Sequence, residues 1–404
     1  MPFHPRVAVA VVLRAHALGS VLRWHVALVC LTSVAGCGRA VGEGPPGATA
    51  AADATPQPVV YHVELADPAF PAAPPRVLQV AQPRDRNGFP VGYTVRITTD
   101  VCMDKKCRTV EVTMHWNAVG YYNRLEYPRD RPLTKQEHEP FTAEDYAKLD
   151  RILKDRGSIL ARQSLAFLAK PLPETPGIDG WSGATPLTVQ ESVVEHAAYT
   201  TWVMWQWANG QLVQKLCQLT EQSCTPPYLK HLLRSADRTC VDFALQYVVH
   251  HHPSDVQFMD DMLQVVETGD REHITRSLRF LKGAVGNKEE LYAHLIRSAC
   301  RMSRVHSPVV LDFLAGESEL PRPTLEELTS YLDQLPYFQI HLILRMLEQR
   351  KYCSAKTESD VSRLLAGDDF FIARRACEFL AKQKLSSETE RKVQDFRARN
   401  RDRL

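Results

Sequence analysis

The chain has 404 residues, of which 44% are hydrophobic and 24% are charged, and its formal net charge at pH 7 is +2. This length allows two or three domains after an N-terminal leader is set aside. A net charge so close to zero argues against the broad basic surface of a nucleic-acid-binding protein, so we expect no nucleic-acid partner. No zinc-protease, serine-hydrolase or phosphate-loop motif is present, so we assign no catalytic residue and no metal ligand.

The first 36 residues have the pattern of a bacterial export signal. Arg14 and Arg23 precede a short apolar stretch at residues 26–35, which ends in small residues. The stretch is too short to be a transmembrane helix. Residues 34–37 resemble a bacterial lipobox, and the resemblance implies that Cys37 is lipidated and becomes the first residue of the mature protein. An ordinary signal peptide with a chance cysteine is the alternative.

Residues 37–58 predict a flexible tether, because they are rich in Gly, Pro and Ala and have no apolar period. Gly38, rather than an aspartate, follows Cys37. By resemblance to Gram-negative lipoproteins, this implies anchoring at the outer membrane, facing the periplasm. We therefore expect a lipid-anchored protein of the bacterial cell envelope.

Two runs of alternating apolar residues predict a β-hairpin around a pair of cysteines. Tyr93, Val95 and Ile97 alternate with polar residues before the loop, and the run from Val110 to Trp116 does so after it. The loop itself contains two of the ten cysteines.

Four cysteines are candidates for disulfides, since an exported protein meets an oxidising compartment. They are Cys102 with Cys107 in the hairpin loop and Cys217 with Cys224 further along the chain. A bridge across the hairpin loop would contribute on the order of 2 kcal/mol. A redox-active dithiol formed by Cys102 and Cys107 is the alternative.

A short helix is predicted after the hairpin. Thr142 with Asp145 three residues later has the pattern of an N-terminal cap. Phe141 is positioned to pack against Tyr146 across this cap. The apolar residues that follow are expected to face a core: Leu149, Ile152 and Leu153.

Residues 179–185 read Asp-Gly-Trp-Ser-Gly-Ala-Thr and precede an apolar stripe that predicts a helix over residues 188–208, closed by Gly210. The backbone amides and dipole at a helix N-terminus favour a phosphate group. The small residues Gly183 and Ala184 leave room for a large group near the backbone. A plain capping turn is the alternative.

This heptapeptide resembles the acceptor motif of covalently flavinylated FMN-binding domains, such as the flavin subunits of sodium-pumping NADH:quinone oxidoreductases and related extracytoplasmic electron carriers. The resemblance implies FMN joined to Thr185 through a phosphoester. Asp179, Ser182, Gly183 and Ala184 would form the recognition frame. It also implies a separate FMN transferase that installs the cofactor after export.

Residues 92–210 are further similar to a family of bacterial FMN-binding lipoproteins with helical repeats. The run Thr-Lys-x-x-His-x-Pro-Phe-Thr-x-x-Asp-Tyr at 134–146 is the most specific part of this similarity. On this basis His138 is a candidate contact of the flavin ring, although a loop histidine is the plainer interpretation. Trp202, Trp205 and Trp207, with Tyr199 a turn earlier, form either an aromatic platform for the ring or ordinary core.

From about residue 226 onward the sequence predicts helix after helix. Apolar segments recur every thirty to forty residues and are separated by Pro and Gly, and Ser387 with Glu390 has the pattern of a cap. This resembles HEAT-type helical repeats, with a compact helical bundle as the alternative. Residues 250–252, three consecutive histidines, are expected at an exposed helix end.

These observations predict an α+β FMN-binding-like domain at residues 59–225, followed by an all-α HEAT-like repeat domain at residues 226–404. The function expected is that of a membrane-anchored, extracytoplasmic electron-transfer flavoprotein that works with a redox partner protein. It would be a carrier rather than an enzyme with its own substrate. A structural or interaction lipoprotein is the main alternative, and a thiol oxidoreductase using Cys102 and Cys107 is a third.

Overall fold

The computed structural model describes residues 56–100, 109–135, 138–163, 191–286 and 288–404. The export signal, Cys37, most of the tether, Cys102, Cys107 and the motif at 179–185 lie outside the described residues. The predictions made for them stay predictions.

An antiparallel sheet of five strands begins the described fold, and its strands follow one another in chain order. They are β1 (Val59–Leu65), β2 (Arg76–Gln82), β3 (Gly92–Thr99), β4 (Val110–Asn117) and β5 (Tyr122–Glu126). The predicted hairpin is confirmed, because β3 and β4 pair with Thr99 opposite Val110. Their apolar residues alternate into the core as the period of two requires.

Three helices cover the inner face of the sheet: α1 (Ala143–Lys154), α2 (Ala198–Asn209) and α3 (Gln211–Ser223). The Trp116 side chain points from β4 into this layer, and its indole Nε1 donates to the carbonyl oxygen of Ala208 at 2.9 Å. Burying the indole costs little because its single donor is satisfied. The bond joins the C-terminal end of α2 to the end of β4.

The start of α1 agrees with the sequence. Thr142 and Asp145 form the predicted capping box, and the rings of Phe141 and Tyr146 pack with centroids 5.3 Å apart. The Asp145 carboxylate also pairs with Lys135, at 2.9 Å from Nζ. The three residues predicted to face the core are buried.

The prediction of one continuous helix over residues 188–208 is wrong at residues 192–197, which are not helical. Among the described residues α2 begins only at Ala198, because His196 has a φ of 55°, which breaks the right-handed series. The Thr201 hydroxyl accepts from Val194 N at 3.1 Å and so satisfies a backbone donor of the preceding turn. Gly210 caps the C-terminus, as predicted.

The rest of the chain folds into stacked pairs of helices. These are α4 (Pro226–Leu233), α5 (Arg238–His251), α6 (Met259–Thr268), α7 (Arg271–Ala284), α8 (Lys288–Arg301), α9 (Ser307–Ala315), α10 (Arg322–Thr329), α11 (Tyr337–Gln349), α12 (Ala355–Arg363), α13 (Phe370–Leu380) and α14 (Ser387–Arg399). The odd-numbered helices α5 to α13 contact one another in sequence and form one row. The even-numbered helices α4 to α14 form the other row.

Polar contacts connect neighbouring helices within each row. Ser298 Oγ on α8 donates to Glu267 Oε1 on α6 at 2.8 Å. Arg375 on α13 is buried and holds Glu348 on α11 through two bonds of 3.0 Å each. A bidentate guanidinium–carboxylate pair fixes the orientation of both side chains, so it sets the register between helices.

The helix boundaries differ slightly from the capping patterns in the sequence. The last helix is capped by Ser386, which accepts from Thr389 N, and not by Ser387. Ser386 has extended backbone geometry, as an N-cap requires, whereas Ser387 is the first helical residue. Helix α5 ends at His251, which confirms the helix end predicted for the histidine triplet.

The described residues belong to one compact unit, and this unit contains two hydrophobic cores. One core lies between the sheet and α1 to α3, and the other runs through the helix pairs. Ala118 and Val119, at the tip of the β4–β5 turn, belong to the second core. Asn117 Nδ2 donates to Asp237 Oδ2 and to Thr239 Oγ1, each at 2.7 Å, so the turn is bonded to the start of α5.

At the level of secondary structure the fold is therefore an antiparallel sheet packed with helices, followed by a helical array. This agrees with an α+β region followed by an all-α region. Within the residues that the structure describes, no helix is long and apolar enough to cross a membrane.

The capping carboxylate of α1 generates a pH-dependent prediction. Partial burial favours a higher pKa for Asp145, but hydrogen bonds from Thr142 and Lys135 outweigh it and lower the pKa below its ordinary value of 3.8. The carboxylate therefore stabilises the fold above pH 3.8, and the contribution is lost as the pH falls through the lower folded-state value. Asp145→Asn should cost about 1 kcal/mol at pH 7.

Urea denaturation of both proteins between pH 7 and pH 3 measures this effect. The difference in unfolding free energy should stay constant down to about pH 4 and shrink below it. Asp130→Asn, at an exposed carboxylate whose ion pair among the described residues is with its neighbour Arg131, is the matched control and should have little effect. A difference that does not change with pH would contradict this assignment.

Candidate functional site

Helix α2 holds both flanks of the segment that contains the motif. Trp202 Nε1 donates to the carbonyl oxygen of Gln163 at 3.0 Å, and Gln163 is the last described residue before that segment. Thr201, the adjacent residue of α2, holds Val194 just after the segment. The two ends of the motif-bearing segment are thus anchored at neighbouring positions of one helix.

The same helix anchors the other two regions singled out in the sequence. Trp207 Nε1 donates to Thr99 Oγ1 at 3.3 Å, and Thr99 ends β3 three residues before Cys102. Thr200 Oγ1 donates to the carbonyl oxygen of Thr134 at 3.2 Å, at the start of the turn that carries His138. One flank of the cysteine loop, the start of the histidine turn and both flanks of the motif-bearing segment therefore converge on α2.

The turn that carries His138 is tightly closed. Lys135 N donates to the Glu139 carbonyl at 2.7 Å, and His138 lies between them with a φ of 64° and an exposed side chain. Histidine is among the residues that tolerate this left-handed region. The structure brings this turn to α2 through Thr134.

The tryptophans of α2 divide into two groups. Trp205 and Trp207 are 4% and 2% exposed, and the Trp205 Nε1 donates to the Asp155 carbonyl at 2.9 Å. For these two the core interpretation is correct, since each ring is enclosed and each donor is used. Trp202 is only partly buried, and it lines a cavity together with Trp207.

This cavity lies between the end of β1 and helix α2 and has a volume of about 170 Å³. Trp202, Gln206 and Trp207 line one side, and the loop with Asp67, Pro68 and Pro71 lines the other. Sites for small molecules usually have about 300–1,000 Å³. The cavity formed by the described residues is smaller than this range.

A charged pair lies beside the cavity. Arg76 Nη2 is 2.8 Å from Asp67 Oδ2, and the guanidinium lies 4.9 Å from the centroid of the Trp207 ring. The cation–π contact adds attraction to the ion pair. Together they fix the Asp67 carboxylate at the rim, where it contributes negative charge.

The side-chain hydroxyl of Tyr199 on α2 is a buried polar group. Its Oη is buried and has no hydrogen-bond partner among the described residues. Burial raises the pKa of Tyr199, and the carboxylates of Asp67 and Asp100 raise it further, so the hydroxyl keeps its proton at neutral pH. An unpaired buried hydroxyl costs about 1–3 kcal/mol, which a bound acceptor would offset.

These features fit a planar ring with a polar edge. Tyr199, Trp202 and Gln206 follow one another at positions i, i+3 and i+7 of α2, so they share one face of the helix. Their side chains are half-buried, whereas the residues between them are buried. From the sequence, Tyr199 and Trp202 were predicted only as members of a larger aromatic group. No motif marks Gln206, Asp67 or Arg76, so these three residues were not predicted.

Cys217 and Cys224 are both free thiols. They lie two helical turns apart, at and just beyond the C-terminal half of α3, so their Cα atoms are separated by about 10 Å. A disulfide requires a Cα–Cα distance of about 4.4–6.8 Å. The prediction that these two cysteines pair with each other is therefore corrected. Cys224 Sγ instead donates to the Thr220 carbonyl at 3.3 Å.

No group of three or more His, Cys, Asp or Glu side chains that could hold a metal ion occurs among the described residues. In comparisons with known proteins, no family model, no curated protein and no solved structure matched the chain.

The environment of Cys224 predicts a slow thiol. Burial raises the pKa of Cys224 to about 12, with a further contribution from Glu221, and only the thiolate is nucleophilic. Alkylation by iodoacetamide at pH 8 should therefore be at least ~100-fold slower in the native protein than in urea.

Peptide mapping by mass spectrometry after timed alkylation gives the rate at each cysteine. Equal rates in native and unfolded protein would show that Cys224 is not in this environment. A Cys224 that resists alkylation even in urea, and reacts only after reduction, would show a disulfide.

Proposed function

We propose that this chain is a lipid-anchored, extracytoplasmic electron-transfer flavoprotein that carries FMN on Thr185. The lipid on Cys37 holds it at the cell envelope. An FMN transferase attaches the cofactor after export. The sheet and helices α1 to α3 form the FMN-binding-like domain, and the helix pairs form a HEAT-like domain that docks a redox partner.

The observation that carries this proposal is the motif at 179–185 together with the helix that holds both of its flanks. Thr185 precedes Glu191, the next described residue, by six positions. Because an extended chain spans at most about 3.3–3.6 Å per residue, Thr185 lies within ~20 Å of Glu191. This keeps a cofactor on Thr185 in the neighbourhood of α2.

The residues of the motif have separate roles in holding FMN. Thr185 supplies the hydroxyl that is esterified, Gly183 and Ala184 allow the phosphate to approach the backbone, and Asp179 and Ser182 complete the recognition frame. When bound, FMN supplies reversible acceptance and release of one or two electrons from partner proteins. The chain contributes the position and surroundings of the ring.

The second half of the chain supports the docking role. Helices of the even-numbered row begin at residues 226, 259, 288, 322, 355 and 387, so successive pairs are separated by roughly 30 residues, as in stacked helical repeats. Such arrays present extended surfaces to partner proteins. The bonds of Asn117 to Asp237 and Thr239 join this array to the sheet.

Co-expression with an FMN transferase, with export to the periplasm, tests the proposal. The purified protein should show flavin fluorescence in a denaturing gel and a mass increase of one FMN minus one water. Thr185→Ala should lose both signals completely, because no hydroxyl is left to esterify. Thr188→Ala, the same change three residues later, is the matched control and should keep both signals.

A colourless wild-type protein, produced while a known acceptor domain is modified in the same cells, would contradict the proposal. Flavin retained in Thr185→Ala would move the attachment to another residue. Replacing both Cys102 and Cys107 with serine should leave flavin attachment intact. If this double variant lost all redox activity while FMN stayed attached, the thiol oxidoreductase would be favoured.

A second candidate function is that of an interaction lipoprotein without cofactor. Phe338 and Phe371 are each the second residue of their helix, α11 and α13, and Val305 lies in the turn before α9; they are 56%, 65% and 75% exposed. Exposed apolar side chains mark an interaction surface when they form a contiguous patch. This candidate becomes the leading one if Thr185 is unmodified.

A further inference from the structure

We infer that the free edge of β1 pairs with the same strand of a second copy of this chain, in antiparallel orientation, so that two five-stranded sheets become continuous. The contact is centred on Val63 and brings His62 of each copy opposite Glu64 of the other. This inference is independent of the proposed function, because it concerns only residues of the sheet.

The strand order leaves β1 at one edge of the sheet. Among the described residues, β1 forms backbone pairs with β2 and with no other strand, from Val59 opposite Gln82 to Leu65 opposite Arg76. In an antiparallel pair, alternate residues direct their backbone N–H and C=O groups away from the neighbouring strand. The outer edge of β1 therefore presents a row of donors and acceptors that another strand can use.

The opposite edge of the sheet is protected, whereas β1 is not. The edge strand β5 has five residues, its pairing with β4 is irregular between His115 and Trp116, and Pro128 follows it closely. Short strands, bulges and proline are features that prevent strand addition. Strand β1 has seven residues, contains no proline or lysine, and pairs with β2 without irregularity. The sheet thus has one edge that can accept another strand.

The side chains of β1 are complementary to those of a second β1. His62 and Glu64 are exposed on the outer face of the sheet, whereas Tyr61, Val63 and Leu65 face the helices. When two copies pair about Val63, each His62 lies opposite Glu64 of the other copy, and each Tyr61 lies opposite Leu65. An imidazole N–H can donate to a carboxylate in either protonation state. The register therefore forms two polar pairs on the outer face and apolar pairs on the inner face.

Neighbouring registers lose this complementarity. A shift by one residue places buried side chains opposite exposed ones, because side chains alternate between faces. A shift by two residues pairs either Glu64 with Glu64 or His62 with His62. Like groups directly opposite each other are unfavourable in antiparallel sheets. The sequence of β1 thus selects both its own second copy as the partner and one register of pairing.

The exposed apolar residue of β1 is covered by the same contact. Val60 lies on the outer face and is 49% exposed. In the register centred on Val63 it lies opposite Ala66 of the second copy, so pairing removes apolar surface from water. Strand pairing and apolar burial therefore favour the same arrangement.

Sedimentation velocity over a concentration series, with the full chain in a mild detergent, measures the dimer. His62→Glu places a carboxylate opposite Glu64 at two places in the contact and should weaken the dimer at least ~10-fold. The double variant His62→Glu/Glu64→Lys restores opposite charges and should return the dissociation constant to within ~3-fold of the wild-type value. Asn123→Glu, which adds a carboxylate at an exposed position of the other edge strand, is the matched control and should leave the dimer unchanged.

Cysteine substitutions at these exposed positions test the register. Chains with His62→Cys, mixed with chains with Glu64→Cys, should form a disulfide-linked dimer under mild oxidation, because directly opposite residues lie within the reach of a disulfide. Each variant alone should form at least ~5-fold less, since positions 62 and 62 are offset by two residues in this register. The wild-type chain under the same oxidation gives the background from the native cysteines.

Circular dichroism and thermal denaturation verify that each variant is folded. A wild-type chain that is monomeric at every concentration overturns the inference, and this result would also be found if β1 paired only with a strand of another protein. A dimer that is as tight in His62→Glu as in Asn123→Glu uses a different surface and overturns it equally. Equal cross-linking in the mixed and the single cysteine variants overturns the register.

Discussion

The hydrogen bonds made by the indole N–H groups around α2 are the interactions on which the arrangement of the site depends. Trp202, Trp205 and Trp207 each donate to a residue outside their own helix, and Trp116 donates from the sheet into α2. A buried indole that lost its acceptor would pay the full cost of desolvation. The helix, the sheet and the loop flanks are therefore held in one relative position.

This constraint explains why a rigid helix lies next to segments that carry the motifs. Sites on regular secondary structure are held more accurately than sites on loops alone. Helix α2 uses its buried face to hold Thr99, Asp155 and the sheet, and leaves Tyr199 and Trp202 half-buried on the other face. The polar bonds between Asn117 and α5 extend the same rigid unit into the helical array.

Periodic features were predictable from the sequence because they depend on local geometry. Alternation from Tyr93 to Ile97 identified β3, the Thr142–Asp145 pair identified the start of α1, and Gly210 identified the end of α2. Boundaries without such a signal were not predictable. His196 interrupts an apolar stripe that otherwise continues with helical period, and only its left-handed backbone shows where α2 begins.

The sequence by itself determined the order of the elements, their inward faces and the motif, because hydrophobic period and residue chemistry are properties of neighbouring residues. The tertiary structure alone decided which tryptophan is accessible, that the Tyr199 hydroxyl is unpaired, and that Cys217 and Cys224 are too far apart to bond. These depend on contacts between residues distant along the chain, such as Trp207 with Thr99 and Trp202 with Gln163. No local pattern encodes such distances.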